Sequence, residues 1–210
     1  MTARHHGPAP AFARRESGPV VCGARPLSDP AATMEAMSTS ERLMPPLVAN
    51  ERTSLESWLD FYRATLAQKC VDLPEQGLRE ASATPSPITL LGLLQHLAEV
   101  ERNWFRRVLA QEDAPPLFAP PAGGGDGAEG RDGGWDLAED ATYEQALAQW
   151  EAEVARARQN CAARALDDTS PFMGAQVTLR WIYTHMIGEY ARHCGHADLV
   201  RERVDGRTGV

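Results

Sequence analysis

The sequence predicts an all-α four-helix bundle. Three observations lead there. Four segments of about 25 residues carry apolar side chains at three- and four-residue steps. No segment alternates as a strand would. A long connection rich in proline and glycine separates the second helical segment from the third, and such a connection lets two consecutive helices lie parallel, giving an up-down-down-up order.

The first helix is expected from about Leu47 to Asp72, with Leu55, Leu59, Tyr62 and Leu66 on one stripe that Trp58 and Phe61 widen; Pro45-Pro46 precede it, where proline suits a helix start. The second runs from about Pro87 to Ala110, with Ser86 as N-cap and Pro87 at the first helical position. Leu90, Leu93, Leu94, Leu97, Val100, Trp104 and Val108 form its apolar face. The third, about Thr142 to Ala165, repeats Tyr143, Ala146, Leu147, Trp150 and Val154. The fourth, about Leu179 to Val204, is the most apolar. Thr178 can cap its start, and Asp205-Gly206 ends it as glycine favours. Trp104, Trp181 and Tyr190 read as core residues.

Two regions stand apart from these helices. Residues 1–37 hold five prolines, eight alanines and no sustained apolar period. They are too poor in large apolar groups to offset the entropy of ordering, and they lack the apolar run of a secretory signal. The expected domain boundaries are therefore a disordered extension at 1–37, dispensable and without a role for His5 or His6, and a bundle domain at 38–210. A start at Met34 or Met37 is one explanation of the extension. The connection at 112–140 carries four prolines, seven glycines and eight acids against Arg131 alone. Its glycine run, Gly123 to Gly134, favours disorder.

Composition bounds the function. The chain has 210 residues, 21 Lys+Arg against 29 Asp+Glu, and a net charge of −8. Most of that charge sits in the 112–140 connection, so the bundle is nearly neutral. No basic footprint for nucleic acid is present, and no apolar run is long enough to span a membrane. Cys22, Cys70, Cys161 and Cys194 are widely spaced with no CxxC pair, which suits reduced thiols in the cytoplasm. Lys69 is the sole lysine beside 20 arginines, a skew that points to a GC-rich genome.

Chemistry concentrates in the histidines. Outside the extension there are four: His96 in the second helix, and His185, His193 and His196 in the fourth. At 100° per residue, His185, Glu189, His193 and His196 fall within an arc of about 80° over about 16 Å. A polar stripe on an apolar helix is costly unless its groups are paired or bind something. One ion can be held by neighbours three or four apart: His185 with Glu189, Glu189 with His193, or His193 with His196, with His96 as a third ligand. Three N/O ligands and an open position make a catalytic metal site, suited to Zn, Ni, Fe or Mn. Arg192 and Arg180 offer Glu189 an ordinary ion pair instead. A ferritin-like di-iron site is excluded, since no Glu-x-x-His pairs are present. HExxH and GxSxG are also absent. Cys194 points about 100° away from the ligand face and reads as an inert buried thiol.

Two stretches, Thr89–Phe105 (TLLGLLQHLAEVERNWF) and Leu179–Asp198 (LRWIYTHMIGEYARHCGHAD), with the closing RERVDG at 201–206, make the chain resemble the DinB/YfiT-like superfamily, in its actinobacterial branch of mini-circle proteins. The resemblance covers about Glu41 to Gly209. It implies an up-down-down-up bundle and a divalent metal held by one His of the second helix and a His-x-x-x-His pair of the last. His96 and His193 match that pattern, and Glu189 stands where the pair's first His falls. The implied ligand set is His96, Glu189 and His193, with zinc the first choice of divalent metal beside Ni, Fe or Mn, and with His185 and His196 as supporting or substrate-facing groups. It further implies a metal-dependent S-transferase in which a low-molecular-weight thiol, mycothiol in a GC-rich actinobacterium, attacks a small electrophile. A metal Lewis-acid isomerase, lyase or hydrolase of a small metabolite, or a non-catalytic metal-binding stress protein, are the alternatives. A homodimer is the implied assembly.

Overall fold

Each of the four long α-helices begins where a side-chain oxygen is available to its first free amides. In the computed structural model, which describes residues 42–118 and 133–209, α1 (Glu51–Cys70) is capped by Asn50, whose side chain accepts from Thr53 N at 2.9 Å. The Pro45-Pro46 pair therefore lies ahead of the helix and not at its start. Leu47 and Val48 are almost fully exposed outside it. A four-residue turn of helix, α2 (Glu75–Leu78), follows. The extension at 1–37, with His5 and His6, and residues 119–132 of the long connection lie outside the described residues.

α3 (Leu90–Glu101) is capped by Thr89, whose Oγ1 accepts from Gly92 N at 2.9 Å. Ser86, the expected cap, instead accepts from Ile88 N at 3.3 Å and closes a local turn. All twelve α3 residues are buried, the outcome for a helix apolar nearly all round. The expected second helix does not continue as α-helix. From Arg102 to Leu109 it is a π-helix, an i→i+5 geometry that occurs often at functional sites. α4 (Tyr143–Ala162) is capped by Thr142 and buries one face: Ala146, Trp150, Glu153, Val154, Ala157 and Cys161.

The all-α expectation needs one correction. β1 (Thr169–Phe172) pairs antiparallel with β2 (Ala175–Thr178). The two-residue loop has φ 48° at Met173 and φ 77° at Gly174, the positive-φ pair of a type I′ hairpin. The hairpin leads directly into α5 (Leu179–Asp205), capped by Thr178. Leu179 N and Arg180 N donate back to Asp168 O and Leu166 O, which satisfies two first-turn amides. Gly206, at φ 79°, ends α5 with its N–H on Glu202 O at 2.8 Å.

α1 packs on α5 and α3 on α4, while α3 also meets α1 and α5. One buried polar network joins α1, α3, α4 and α5. Arg63 of α1 donates to both oxygens of Glu101 of α3, at 2.8 and 2.7 Å. Tyr190 of α5 donates to Glu101 Oε1 at 2.7 Å, and Trp150 of α4 donates to the Tyr190 hydroxyl at 2.8 Å. Around it packs a continuous core of leucines from α1 and α3 with Trp150, Ile182 and Met186.

Candidate metal centre

α3 and α5 bring three ligand-type side chains to one point. His96, Glu189 and His193 are 4%, 8% and 5% exposed. One donor atom from each lies within 4.8 Å of the others. His193 Nε2 is 2.9 Å from Glu189 Oε1, and His96 Nε2 is 3.7 Å from that same oxygen. Glu189 and His193 meet because they are one turn apart on the same helical face. His96 meets them because α3 packs across α5.

The two imidazoles are oriented from behind. His96 Nδ1 is 3.3 Å from the Gly133 carbonyl; in the tautomer whose Nδ1–H donates to that carbonyl, Nε2 presents a lone pair toward Glu189. That Nε2 is buried and has no hydrogen-bond partner. A lone pair facing a carboxylate oxygen at 3.7 Å is an unsatisfied arrangement that a cation between them satisfies. His193 Nδ1 is 3.3 Å from His196 Nδ1. When His193 offers Nε2 as a ligand, its Nδ1–H donates to His196. Burial first, then His193 and Arg192, lower the His196 pKa, which keeps that acceptor neutral.

Glu189 is held ionised. The hydrogen bond from His193 keeps its carboxyl well below the usual carboxylate range. Its other oxygen, Oε2, pairs with Arg192 at 3.1 Å. Arg192 is largely exposed, so this pair adds little stability, but it turns Oε1 toward the histidines. Arg180, the other expected partner, goes to Glu51 and Asp167 instead.

The long connection returns over the site. Trp135 stacks on His96, with ring centroids 4.1 Å apart, and lies 5.6 Å from His193. Gly134 sits against the α3 backbone at φ 94°, and a Cβ there would be 2.6 Å from His96 N and 2.7 Å from Gln95 C. Only glycine fits. The end of the glycine run is thus a built part of the centre, which sequence reading assigned to disorder. The signal available was the Gly133-Gly134-Trp135 triplet, an aromatic closing an otherwise small and acidic stretch. Gly134→Ala is expected to push the Gly133 carbonyl off His96 and weaken metal affinity about 10–100-fold, with the helical circular dichroism unchanged; zinc titration calorimetry measures it.

Of the other sequence candidates, His196 touches His193 and so supports the cluster. His185 is outside it, its ring packed among Trp104 and Trp181. Cys194 is buried, donates to Tyr62 O at 3.4 Å, and has its thiol pushed up to about 12 by burial and Asp198. It is a poor nucleophile. Cys70 and Cys161 are likewise buried, with thiols raised by burial to about 12 and about 11.

No curated protein matches the chain. The mycothiol-S-transferase family profile matches residues 54–206, a span that holds α1 to α5 and both contributors to the ligand cluster. The chain belongs to the mycothiol-S-transferase family, within the DinB/YfiT-like metal-dependent superfamily.

Proposed function

We propose that this protein is a metal-dependent S-transferase in which His96, Glu189 and His193 hold a divalent cation, zinc in the first instance, and a low-molecular-weight thiol, mycothiol, is joined to a small electrophile. The observation that carries the reading is the buried His96 Nε2, without a partner, facing an ionised Glu189 and a His193 ring. A divalent cation bound there supplies Lewis acidity that makes a thiol a stronger acid.

The chain's own residues do the rest. Gly133 O and His196 Nδ1 are placed to accept from the Nδ1–H groups of His96 and His193, the tautomers in which both Nε2 atoms would face a bound cation. Arg192 fixes the Glu189 carboxylate. Trp135 covers His96 and keeps water from one side of the cluster. In the transfer, the thiol sulfur bonds to the electrophilic carbon, the carbon's leaving group departs with the electron pair, and the thiol proton goes to water. Among the described residues no protein thiol takes part, in keeping with the burial of Cys70, Cys161 and Cys194.

On this reading the functional domain is the up-down-down-up bundle at 38–210, acting in the cytoplasm, and the extension at 1–37 takes no part in the chemistry. Among the described residues no helix is long and apolar enough to cross a membrane. Metal-loaded protein is expected to consume mycothiol and an alkylating electrophile one for one. Turnover of a substrate by the metal-loaded protein with no thiol present would replace this reading with Lewis-acid isomerase, lyase or hydrolase chemistry.

A further inference from the structure

The stretch of chain that covers the metal centre is held in two different ways. Beyond Trp135 it is fixed to the body of the bundle. Arg79, which follows α2, donates to Ala138 O at 3.0 Å, to Glu139 O at 3.2 Å and to Ala141 O. Leu137 and Ala141 pack against the core. Before that point, Gly133, Gly134 and Trp135 cross α3 over the turn from Gly92 to His96. A Cβ on Gly134 would lie 2.6 Å from His96 N, and the Trp135 and Gly134 carbonyls lie 3.7 and 3.9 Å from where a Cβ on Gly92 would stand. The crossing is a close approach of two backbones, of the kind that glycine permits.

Two contacts of this crossing strap depend on the state of His96. The Gly133 carbonyl is 3.3 Å from His96 Nδ1. The Trp135 indole stacks on the imidazole, with 4.1 Å between centroids and 26° between planes, and its centroid is 5.6 Å from that of His193. Trp135 is 36% exposed, so it lies over the ligands without filling the core. A cation on His96 Nε2 strengthens both contacts. It makes Nδ1–H a charge-assisted donor to Gly133 O, and it leaves the imidazole electron-poor against the electron-rich indole face. The Arg79 contacts involve no ligand and have no such dependence.

We propose that the Gly133–Trp135 strap is thermodynamically linked to the cation, with Trp135 as a positioning residue that acts through His96. An occupied centre tightens the strap, and the strap in turn tightens the cation. Binding free energies are reciprocal, so the two effects are of one size. The inference rests on the reading of His96, Glu189 and His193 as ligands, and it gives the end of the long connection a part in retaining the ion.

The test compares wild type, Trp135→Phe and Trp135→Ala, each without metal and with zinc. Trp135 is exposed enough that neither change empties the core, and equal helical circular dichroism checks this. Zinc affinity, read by competition with a chromophoric chelator, should fall about tenfold in Trp135→Ala, as for other groups that orient a metal ligand. It should largely recover in Trp135→Phe, which keeps an aromatic face on His96. Amide hydrogen exchange supplies a reading that a merely structural tryptophan would not move. In wild type, zinc should slow exchange at residues 133–136 about tenfold and change residues 138–141 little. In Trp135→Ala the slowing at 133–136 should largely vanish. Zinc bound by wild type with exchange at 133–136 unchanged, or equal zinc affinity in wild type and Trp135→Ala, overturns the linkage and leaves the metal centre standing. No zinc binding by wild type defeats the metal centre and the linkage together.

Discussion

Arg63→Met is expected to destabilise the protein by about 3–5 kcal/mol, the cost of removing one partner from a buried ion pair. Arg63 and Glu101 are 4% and 0% exposed. Without the guanidinium, Glu101 would keep only the Tyr190 hydroxyl as a donor in a site closed to water. Burial pulls the Arg63 pKa down, but the Glu101 carboxylate outweighs it and raises the pKa well above the ordinary arginine value. Burial likewise raises Tyr190 well above the ordinary phenol range, so its proton stays to be donated. Because one member comes from each of α1, α3, α4 and α5, the loss falls on the whole assembly. Urea unfolding of the apoprotein measures it. The double variant Arg63→Met with Glu101→Leu should recover much of the loss, since an apolar pair leaves no buried charge behind. A single variant within 1 kcal/mol of wild type would show that the network is not closed to solvent.

His96→Ala is expected to weaken divalent-metal binding by more than about 100-fold, beyond what loss of a supporting contact does, and to abolish thiol transfer with it. The cause is local. His96 is the sole α3 member of the cluster, so its removal leaves two ligands from one helix. Glu189→Ala should act alike, because His96 and His193 then face each other without the carboxylate between them. Glu189→His, which replaces the carboxylate with a third imidazole, should retain metal. His185→Ala should leave affinity within a few-fold, since that ring lies with Trp104 and Trp181. Competition with a chromophoric chelator reads all four. Undiminished affinity in Glu189→Ala would remove it from the ligand set.

Much of this arrangement is legible in the sequence because helical periodicity converts spacing into direction. Spacing narrows the cluster to His96 and three possible pairs on the last helix, and the family resemblance selects Glu189 with His193; the structure brings those three side chains together. What escapes is whatever depends on short or long-range structure. The strands are four residues each, β1 contains Pro171, and the turn is Met-Gly, so no alternation can register. The π-helix shares its apolar residues with an α-helical period, and only the backbone reveals i→i+5 bonding. Gly133 and Trp135 reach His96 across 37 and 39 positions of sequence. Nothing local in the sequence pairs Arg63 with Glu101, which lie 38 positions apart and meet only where their helices pack. Trp181 fails in the other direction: its apolar bulk argues for the core, whereas nearly half of it is exposed.

The most direct test of the centre is the visible spectrum of cobalt-substituted protein titrated with mycothiol. Cobalt reports ligand number and type through bands that zinc lacks. If His96, Glu189 and His193 hold the ion and leave a position open, one equivalent of cobalt should bind, and added thiol should produce a saturable sulfur-to-metal charge-transfer band, absent in His96→Ala. A cobalt spectrum that millimolar thiol leaves unchanged would contradict the account.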